Sequence, residues 1–264
     1  MEVHHHSHHP RKMKEYLTEF LMLFAAVSLG FFAENIREHF VEKERAHELI
    51  ESFMDDVEAN IMYTDSLITN TQSMVMKNDS AVFYLMTSNK VNLDSFYALL
   101  PITSYRYLSN NETYDQMKSS GSLRYIKDTT LLRKIINYNN ASKAAEFRSV
   151  TQEFEYTAHE YIEGLQKWMP PSIAIKRQIS ILKNRKYFQA SITKTQDKQM
   201  IKSLYEIDTL GSHVVSGAIL LEMRKEFVPI LTRKIFLMSA SQLYMSMAAE
   251  QAKDLLSYYH KKIY

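Results

Sequence analysis

Residues that form tight turns are scarce in this chain. It has five Gly and five Pro among 264 residues, whereas average usage of the two together is about 12%. Sheets built from hairpins need such residues at short intervals, and dinucleotide-binding folds need a Gly-rich phosphate loop, so the composition argues against both classes. It predicts an all-α fold made of long helices.

A strongly apolar run without a charge extends from Phe20 to Ala33. Extended back to Tyr16 it has 18 residues, about 27 Å of helix, and the extension places Glu19 one turn inside the run. A buried core helix or the apolar region of a signal peptide would look similar. The basic residues before the run, the interfacial Tyr16 and the lack of a small-x-small cleavage motif favour an uncleaved transmembrane helix over residues 16–33, in contact with membrane lipid.

The flanks of this helix carry equal numbers of Lys and Arg, three on each side within a dozen residues, so they do not decide its orientation. The short N-terminal segment and the long C-terminal part favour a cytoplasmic tail at residues 1–15 and an extracytoplasmic (periplasmic) C-terminal domain at the inner membrane. The His-rich stretch at residues 4–9 is interpreted as a solvated tail, with divalent metal binding as the alternative. Ala26 and Gly30 form a small-xxx-small pair that would let two such helices approach.

The region after the apolar run is polar and helical in pattern. Apolar residues recur at three- and four-residue steps, which predicts a stalk helix over residues 34–77 with one face free to pack on a partner helix, as in a coiled coil. The interval Glu34–Asp65 holds ten acids and three bases, a net charge of −7. The small-xxx-small pair in the span and the apolar face of the stalk make a homo-oligomer formed through the span and stalk a candidate assembly.

Residues 78–264 are predicted to form an extramembrane helical bundle that packs with the stalk. Turn-forming and capping residues divide it into helices that begin or end at Pro101, Gly121, Asp128, Pro170, Gly211 and Pro229. The predicted helices are 93–100, 113–118, 129–139, 141–168, 194–209, 214–227 and 230 to the C-terminus. Residues 173–192 fit either helix or extended chain. The uncharged run Ile235–Ala249 contains four Ser or Gln and is predicted to be a buried helix and not a second span.

Basic residues are concentrated in Lys167–Lys202, which has nine Lys and Arg against one Asp. This segment fits against the acidic stalk, or against an anionic partner such as lipid headgroups. The whole chain carries a net charge of only +2, and no global nucleic-acid footprint is present.

Two blocks of sequence resemble a known family. Residues 13–39 (MKEYLTEFLMLFAAVSLGFFAENIREH), preceded by the His-rich stretch, and residues 113–140 (TYDQMKSSGSLRYIKDTTLLRKIINYNN) are similar to those of a bacterial family of uncharacterised single-span membrane proteins. The resemblance covers about 55 residues and implies a membrane anchor and a helical domain outside the cytoplasm. It implies no activity.

The turn Ser119–Ser120–Gly121 lies within the second block. Its structural interpretation is a helix end where Gly121 adopts a positive φ and the serines satisfy nearby backbone groups. A nucleophilic serine would require a base and an orienting partner, which the sequence does not mark.

One candidate metal site is recognisable. Glu155, His159 and Glu163 recur every four residues, so on an α-helix they would share one face and could supply oxygen and nitrogen ligands. The same spacing is common on solvated helices, and no metalloprotease, Walker, dinucleotide or calcium-loop motif is found. No cofactor is predicted, and the absence of Cys excludes thiol chemistry.

These features favour a membrane-anchored scaffold or sensor-like interaction protein of the bacterial envelope over an enzyme, with an envelope protein as its unknown partner and no nucleic acid. The alternative is an anchored domain that binds metal or a small ligand through Glu155, His159 and Glu163. A third possibility is a soluble helical protein in which residues 16–33 are buried.

Overall fold

The computed structural model describes residues 13–101, 104–175, 177 and 213–263, and the fold is all-α with one small ribbon. The predicted helix at 194–209, the His-rich stretch, Gly211 and most of the basic segment lie outside the described residues. The elements are α1 (Met13–Thr87), β1 (Lys90–Asn92), α2 (Leu93–Leu99), α3 (Glu112–Ser119), a 3₁₀ helix (Ser122–Tyr125), α4 (Thr129–Glu146), π-helical segments Phe147–Phe154 and Thr157–Tyr161, α5 (Ile162–Gln166), a helical turn at 171–175, β2 (Val214–Ser216) and α6 (Gly217–Ile263).

Helix α1 is continuous from the apolar run through the predicted stalk and beyond it. It ends at Thr87, ten residues after the predicted end at Lys77. No Gly or Pro interrupts residues 31–100, and Ala81 and Leu85 in the last turns are fully buried. Burial of these side chains favours further helical turns where the sequence pattern alone gave no reason to extend them.

The chain divides into two compact units. The first comprises Met1–Met54 and Glu112–Thr129, and the second comprises Asp55–Asn111 and Thr130–Tyr264. In the first unit, the rings of Phe53 and Tyr114 pack 6.0 Å apart, and Phe53 is fully buried.

The core of the second unit contains side chains from α1, α2, α5 and α6. At its centre the ring of Phe96 lies 5.4 Å from that of Phe227 in an edge-on arrangement, and Tyr97 packs against both. Helices α1 and α6 run antiparallel, because Lys253 pairs with Asp65 and the Arg224 guanidinium donates to the Leu85 carbonyl at 2.8 Å. The second unit therefore joins the C-terminal part of α1 to α6, two segments that are far apart in the sequence.

A two-stranded antiparallel ribbon, absent from the sequence predictions, closes one end of the second unit. Lys90 pairs with Ser216 and Asn92 with Val214. Asn92 also caps α2 by accepting from the Ser95 amide at 3.0 Å, and Gly217, with φ of +60°, begins α6. Gly217 had been predicted to lie inside a helix, but the turn from strand to helix needs its left-handed conformation.

Two predicted helix breaks are wrong. Residues 129–166 form one uninterrupted helical rod, although a break near Asn139 was predicted. Pro229 lies inside α6 and does not separate two helices. An internal Pro costs about 3 kcal/mol or more, and the fully buried Phe227 and Leu231 on either side of it provide a comparable gain of about 1.5–3 kcal/mol each.

Candidate functional site

The apolar run of α1 is exposed along its length, apart from the half-buried Ser28. Within the described part of the chain, α1 is the one helix long and apolar enough to cross a bilayer, and its most apolar 18-residue window has a mean hydropathy of 1.7 with none of it buried. Tyr16, Glu19, Ala26 and Gly30, predicted to belong to the anchor, are all exposed. A buried core helix, one of the alternatives from the sequence, is not what the structure contains here.

The turn Ser119–Ser120–Gly121 joins α3 to the 3₁₀ helix in the first unit. Gly121 has φ of +74°, a conformation that disfavours side chains. The Ser119 hydroxyl donates to the Gln116 carbonyl at 3.2 Å, and the Ser120 hydroxyl lies 2.7 Å from that of Ser122. The serine hydroxyls are thus used in local hydrogen bonds that form the corner.

The three residues of the candidate metal site are not assembled into one. The His159 Nε2 atom lies 3.3 Å from Glu155 Oε2, with both side chains more than half exposed. Residues 157–161 are π-helical, so the wider turn removes the α-helical spacing on which alignment with Glu163 depended. Among the residues that the structure describes, no group of three or more His, Asp or Glu is placed to hold a metal ion.

A buried ion pair is the most unusual polar feature of the second unit. Lys234 on α6 pairs with Glu153, and their side chains are 0% and 4% exposed. The Lys234 ammonium also donates to Ser104 Oγ at 3.0 Å and to Thr157 Oγ1, so each of its three N–H bonds has an oxygen acceptor. Burial lowers the pKa of Lys234, and the nearby Glu153 carboxylate opposes that change.

The π-helical geometry brings the partners of Lys234 together. Glu153 lies in the first π segment and Thr157 begins the second, and the Ser104 hydroxyl donates to Glu153 Oε1 at 2.8 Å. The ring of Tyr161 lies 5.2 Å from the Lys234 Nζ atom, and its hydroxyl donates to Asn78 Oδ1 at 3.1 Å. This network links α1, the π segments and α6, and π segments often occur at functional sites.

Lys234 was not singled out from the sequence, although a signal was available. It lies between the buried Leu231 and Met238 at steps of three and four residues. A charged residue on an apolar stripe requires a buried partner of opposite charge. That partner, Glu153, is more than 80 residues away in the sequence, so spacing alone does not identify it.

A second polar chain has the connectivity of a serine hydrolase triad. The His213 Nδ1 atom lies 3.0 Å from Asp94 Oδ2, and the Ser172 hydroxyl lies 3.4 Å from His213 Nε2. The serine and the aspartate are exposed in the opposite order from a working triad. Ser172 is 4% exposed, whereas the Asp94 side chain is 44% exposed. Acyl transfer needs an accessible hydroxyl and a sheltered carboxylate. We therefore interpret these hydrogen bonds as structural, because they connect α2, the residue before β2 and the 171–175 turn.

No family model matches the chain, and no curated protein or solved structure matches it. The family resemblance of the two sequence blocks therefore stays an expectation.

Proposed function

We propose that this chain is a membrane-anchored helical interaction protein, a scaffold or sensor-like module of a cell envelope. One observation carries the proposal: the 18-residue apolar window of α1 is entirely unburied. Side chains such as Phe24 (61%) and Val27 (73%) are exposed along it. Such a surface is costly in water and stable in a lipid bilayer.

The polar networks of the second unit support interaction over catalysis. Every N–H bond of the Lys234 ammonium is already engaged, so the group has no free hydrogen to offer a substrate. The Ser172 hydroxyl is buried. Both networks join distant segments and so stabilise a fixed surface that a partner, such as a second copy of the chain or another envelope protein, would recognise.

Alkaline extraction of membranes tests the anchor. We expect the full chain to stay in the membrane pellet, because each charge placed at the centre of a spanning helix costs about 2.5–3.5 kcal/mol and the wild-type run has none between Phe20 and Ala33. The double variant Phe24→Arg/Val27→Arg should leave the membrane fraction.

The matched control is Met62→Arg/Met76→Arg, on the same helix and also at exposed apolar positions, 70% and 61%. It should remain in the pellet with the wild type. Release of the wild-type chain by alkaline extraction would contradict the proposal.

A further inference from the structure

In the first unit, two ring contacts fix the direction in which the chain runs after α3 begins. Tyr114 packs against Phe53, and Tyr125 packs against His39 with ring centres 5.6 Å apart. From Phe53 to His39 is 14 residues of α1, about 21 Å at 1.5 Å per residue. Between residues 114 and 125, the chain therefore descends along α1 toward the apolar run.

The end of that descent lies close to the expected membrane surface. His39 is six residues beyond Ala33, about 9 Å along the helix. Exposed apolar side chains continue past Ala33, at Ile36 (58%) and Phe40 (65%). The headgroup layer adds roughly 5–8 Å on each side of the hydrocarbon core. If the core ends near Ala33, we expect Tyr125 to lie close to the outer edge of this layer, within reach of long side chains.

The segment that reaches this level is basic. Residues 118–127, which we name the basic corner, contain Lys118, Arg124 and Lys127 and no acid, and all three basic residues are exposed. The Arg124 guanidinium lies 4.9 Å from the centre of the Tyr125 ring and donates to its hydroxyl at 3.0 Å. A Tyr with an adjacent Arg is the composition that favours the membrane interface.

The acidic residues of α1 at this level are partly neutralised along the helix. Arg37 pairs with Glu34, and Arg45 pairs with Glu42 at 3.2 Å. Glu38 and Glu44 also lie on this part of α1, and Asp128 follows the basic corner. The basic corner is still a run of ten residues whose charges are all positive.

We propose that the basic corner binds anionic lipid headgroups, with Arg124 as the principal contact to phosphate and Tyr125 lying in the interface. The inference rests on the proposed membrane anchor and adds a second point of contact, far from the span in sequence. The Ser119–Ser120–Gly121 turn lies within this segment and joins α3 to the 3₁₀ helix that carries Arg124 and Tyr125.

Depth-dependent quenching tests the proposal on the full chain in nanodiscs. The chain has no Cys, so an environment-sensitive fluorophore can be attached at Lys127→Cys without background. Nanodiscs of phosphatidylcholine and phosphatidylglycerol would contain a lipid with a spin label on its headgroup. We expect strong quenching at position 127 and little at the control Glu51→Cys, an exposed position 12 residues beyond His39 on α1, about 18 Å further along the helix.

Charge dependence tests the choice of lipid. With the fluorophore at position 127, Lys118→Glu/Arg124→Glu should reduce quenching in phosphatidylglycerol nanodiscs by about threefold, since each basic residue near an anionic surface contributes attraction. Arg133→Glu/Lys225→Glu, the same charge change at exposed positions of the second unit, should leave quenching unchanged.

The outcomes separate the two proposals. A chain that enters nanodiscs but shows equal, weak quenching at positions 127 and 51 overturns the headgroup contact and leaves the anchor standing. Strong quenching that is the same in pure phosphatidylcholine overturns the preference for anionic lipid. A chain that does not enter nanodiscs overturns both.

Discussion

Lys234 lies in a stripe of buried residues on α6 whose other members, apart from Ser241, have apolar side chains. Moving a charge out of water costs several kcal/mol, and a buried ion pair typically returns little more than that cost. The pair therefore contributes little net stability but strongly disfavours any arrangement that separates Lys234 from Glu153. We interpret it as a device that fixes the register of α6 against the π segments.

Replacement of one partner of this pair should be far more damaging than replacement of both. Lys234→Met leaves the buried Glu153 carboxylate uncompensated and should lower the free energy of unfolding by about 3–5 kcal/mol. The double variant Lys234→Met/Glu153→Leu should recover most of that loss. Urea denaturation of the detergent-solubilised chain, followed by circular dichroism, measures both.

The exposed pair of Lys253 and Asp65, 57% and 52% exposed, provides the control. Lys253→Met should cost less than about 1 kcal/mol because water screens the pair. Equal losses for the Lys234 and Lys253 variants would contradict the assignment of Lys234 to a desolvated network.

Five buried tyrosines make the second unit sensitive to alkali. Burial raises the pKa of Tyr97, Tyr107, Tyr138 and Tyr161 above the usual value and that of Tyr156 to about 12. The folded state then holds phenolic protons that the unfolded chain releases near pH 10, so stability is full below about pH 10 and falls above it. Burial lowers the pKa of Lys234 and of Arg177, and these two groups act in the opposite direction but are outnumbered by the five phenols.

We expect the free energy of unfolding to decline steeply above about pH 10, by as much as 1.4 kcal/mol per pH unit for each phenol. Tyr161→Phe should make that decline shallower, whereas Tyr63→Phe, at an exposed ring (43%), should not. Urea titrations at several pH values, with tyrosinate absorbance as a second signal, measure the slope. A slope that Tyr161→Phe leaves unchanged would count against a role for this phenol.

At the scale of elements, Gly164 on α5 packs closely against Ile230 on α6. A Cβ atom at this position would lie 2.5 Å from Ile230 Cδ1. Gly164→Ala should therefore gain about 1 kcal/mol of helix propensity and lose about 1–3 kcal/mol to crowding, with a net change from neutral to moderately destabilising. In an Ile230→Val background, which removes the Cδ1 atom, the same substitution should stabilise by about 0.5–1 kcal/mol.

The difference between the two backgrounds, measured as a double-mutant cycle of urea unfolding, isolates this contact. Gly30→Ala is the comparison in open surroundings, since no atom lies within 4 Å of its Cβ position. Additive effects of Gly164→Ala and Ile230→Val would show that the two helices separate slightly and absorb the added methyl group.

The sequence predicts the helical elements well and their ends less well. The scarcity of Gly and Pro indicated the all-α class, and the helix over residues 93–100 agrees with α2 to within one residue. The errors occur where burial outweighs a local signal, as at Pro229 and Asn139, both inside continuous helices. Local propensity competes with tertiary packing there, and packing determines the result.

The polar sites were harder to predict because their partners are distant in sequence. The Asn60 side chain accepts from the Asn110 amide and donates to the Asn110 carbonyl, both at 3.0 Å, across 50 residues. The π segments likewise have no signal in a 3.6-residue pattern, so the α-helical spacing assumed for Glu155, His159 and Glu163 does not apply there. The apolar anchor was recognisable because its signal is local and contiguous.

At the scale of the whole molecule, the two units carry different chemistry. The first presents the exposed apolar run and the basic corner, and the second encloses the polar network around Lys234 and leaves no comparable apolar window on the helices that the structure describes. This division fits a protein whose first unit contacts the bilayer and whose second unit holds a surface for a partner. The side of the membrane on which the second unit lies then determines which partners are accessible.

We propose that the N-terminal side of the span is cytoplasmic and the second unit outside, because the flanking Lys and Arg do not oppose translocation of the C-terminal part. Single Cys substitutions in the Cys-free chain test this with a membrane-impermeant maleimide on bacterial spheroplasts. Ser239→Cys, exposed on α6, should be labelled in intact spheroplasts, and Ser7→Cys only after permeabilisation. The reverse pattern would place the second unit in the cytoplasm, and labelling of neither variant before permeabilisation would show that the chain does not cross the membrane.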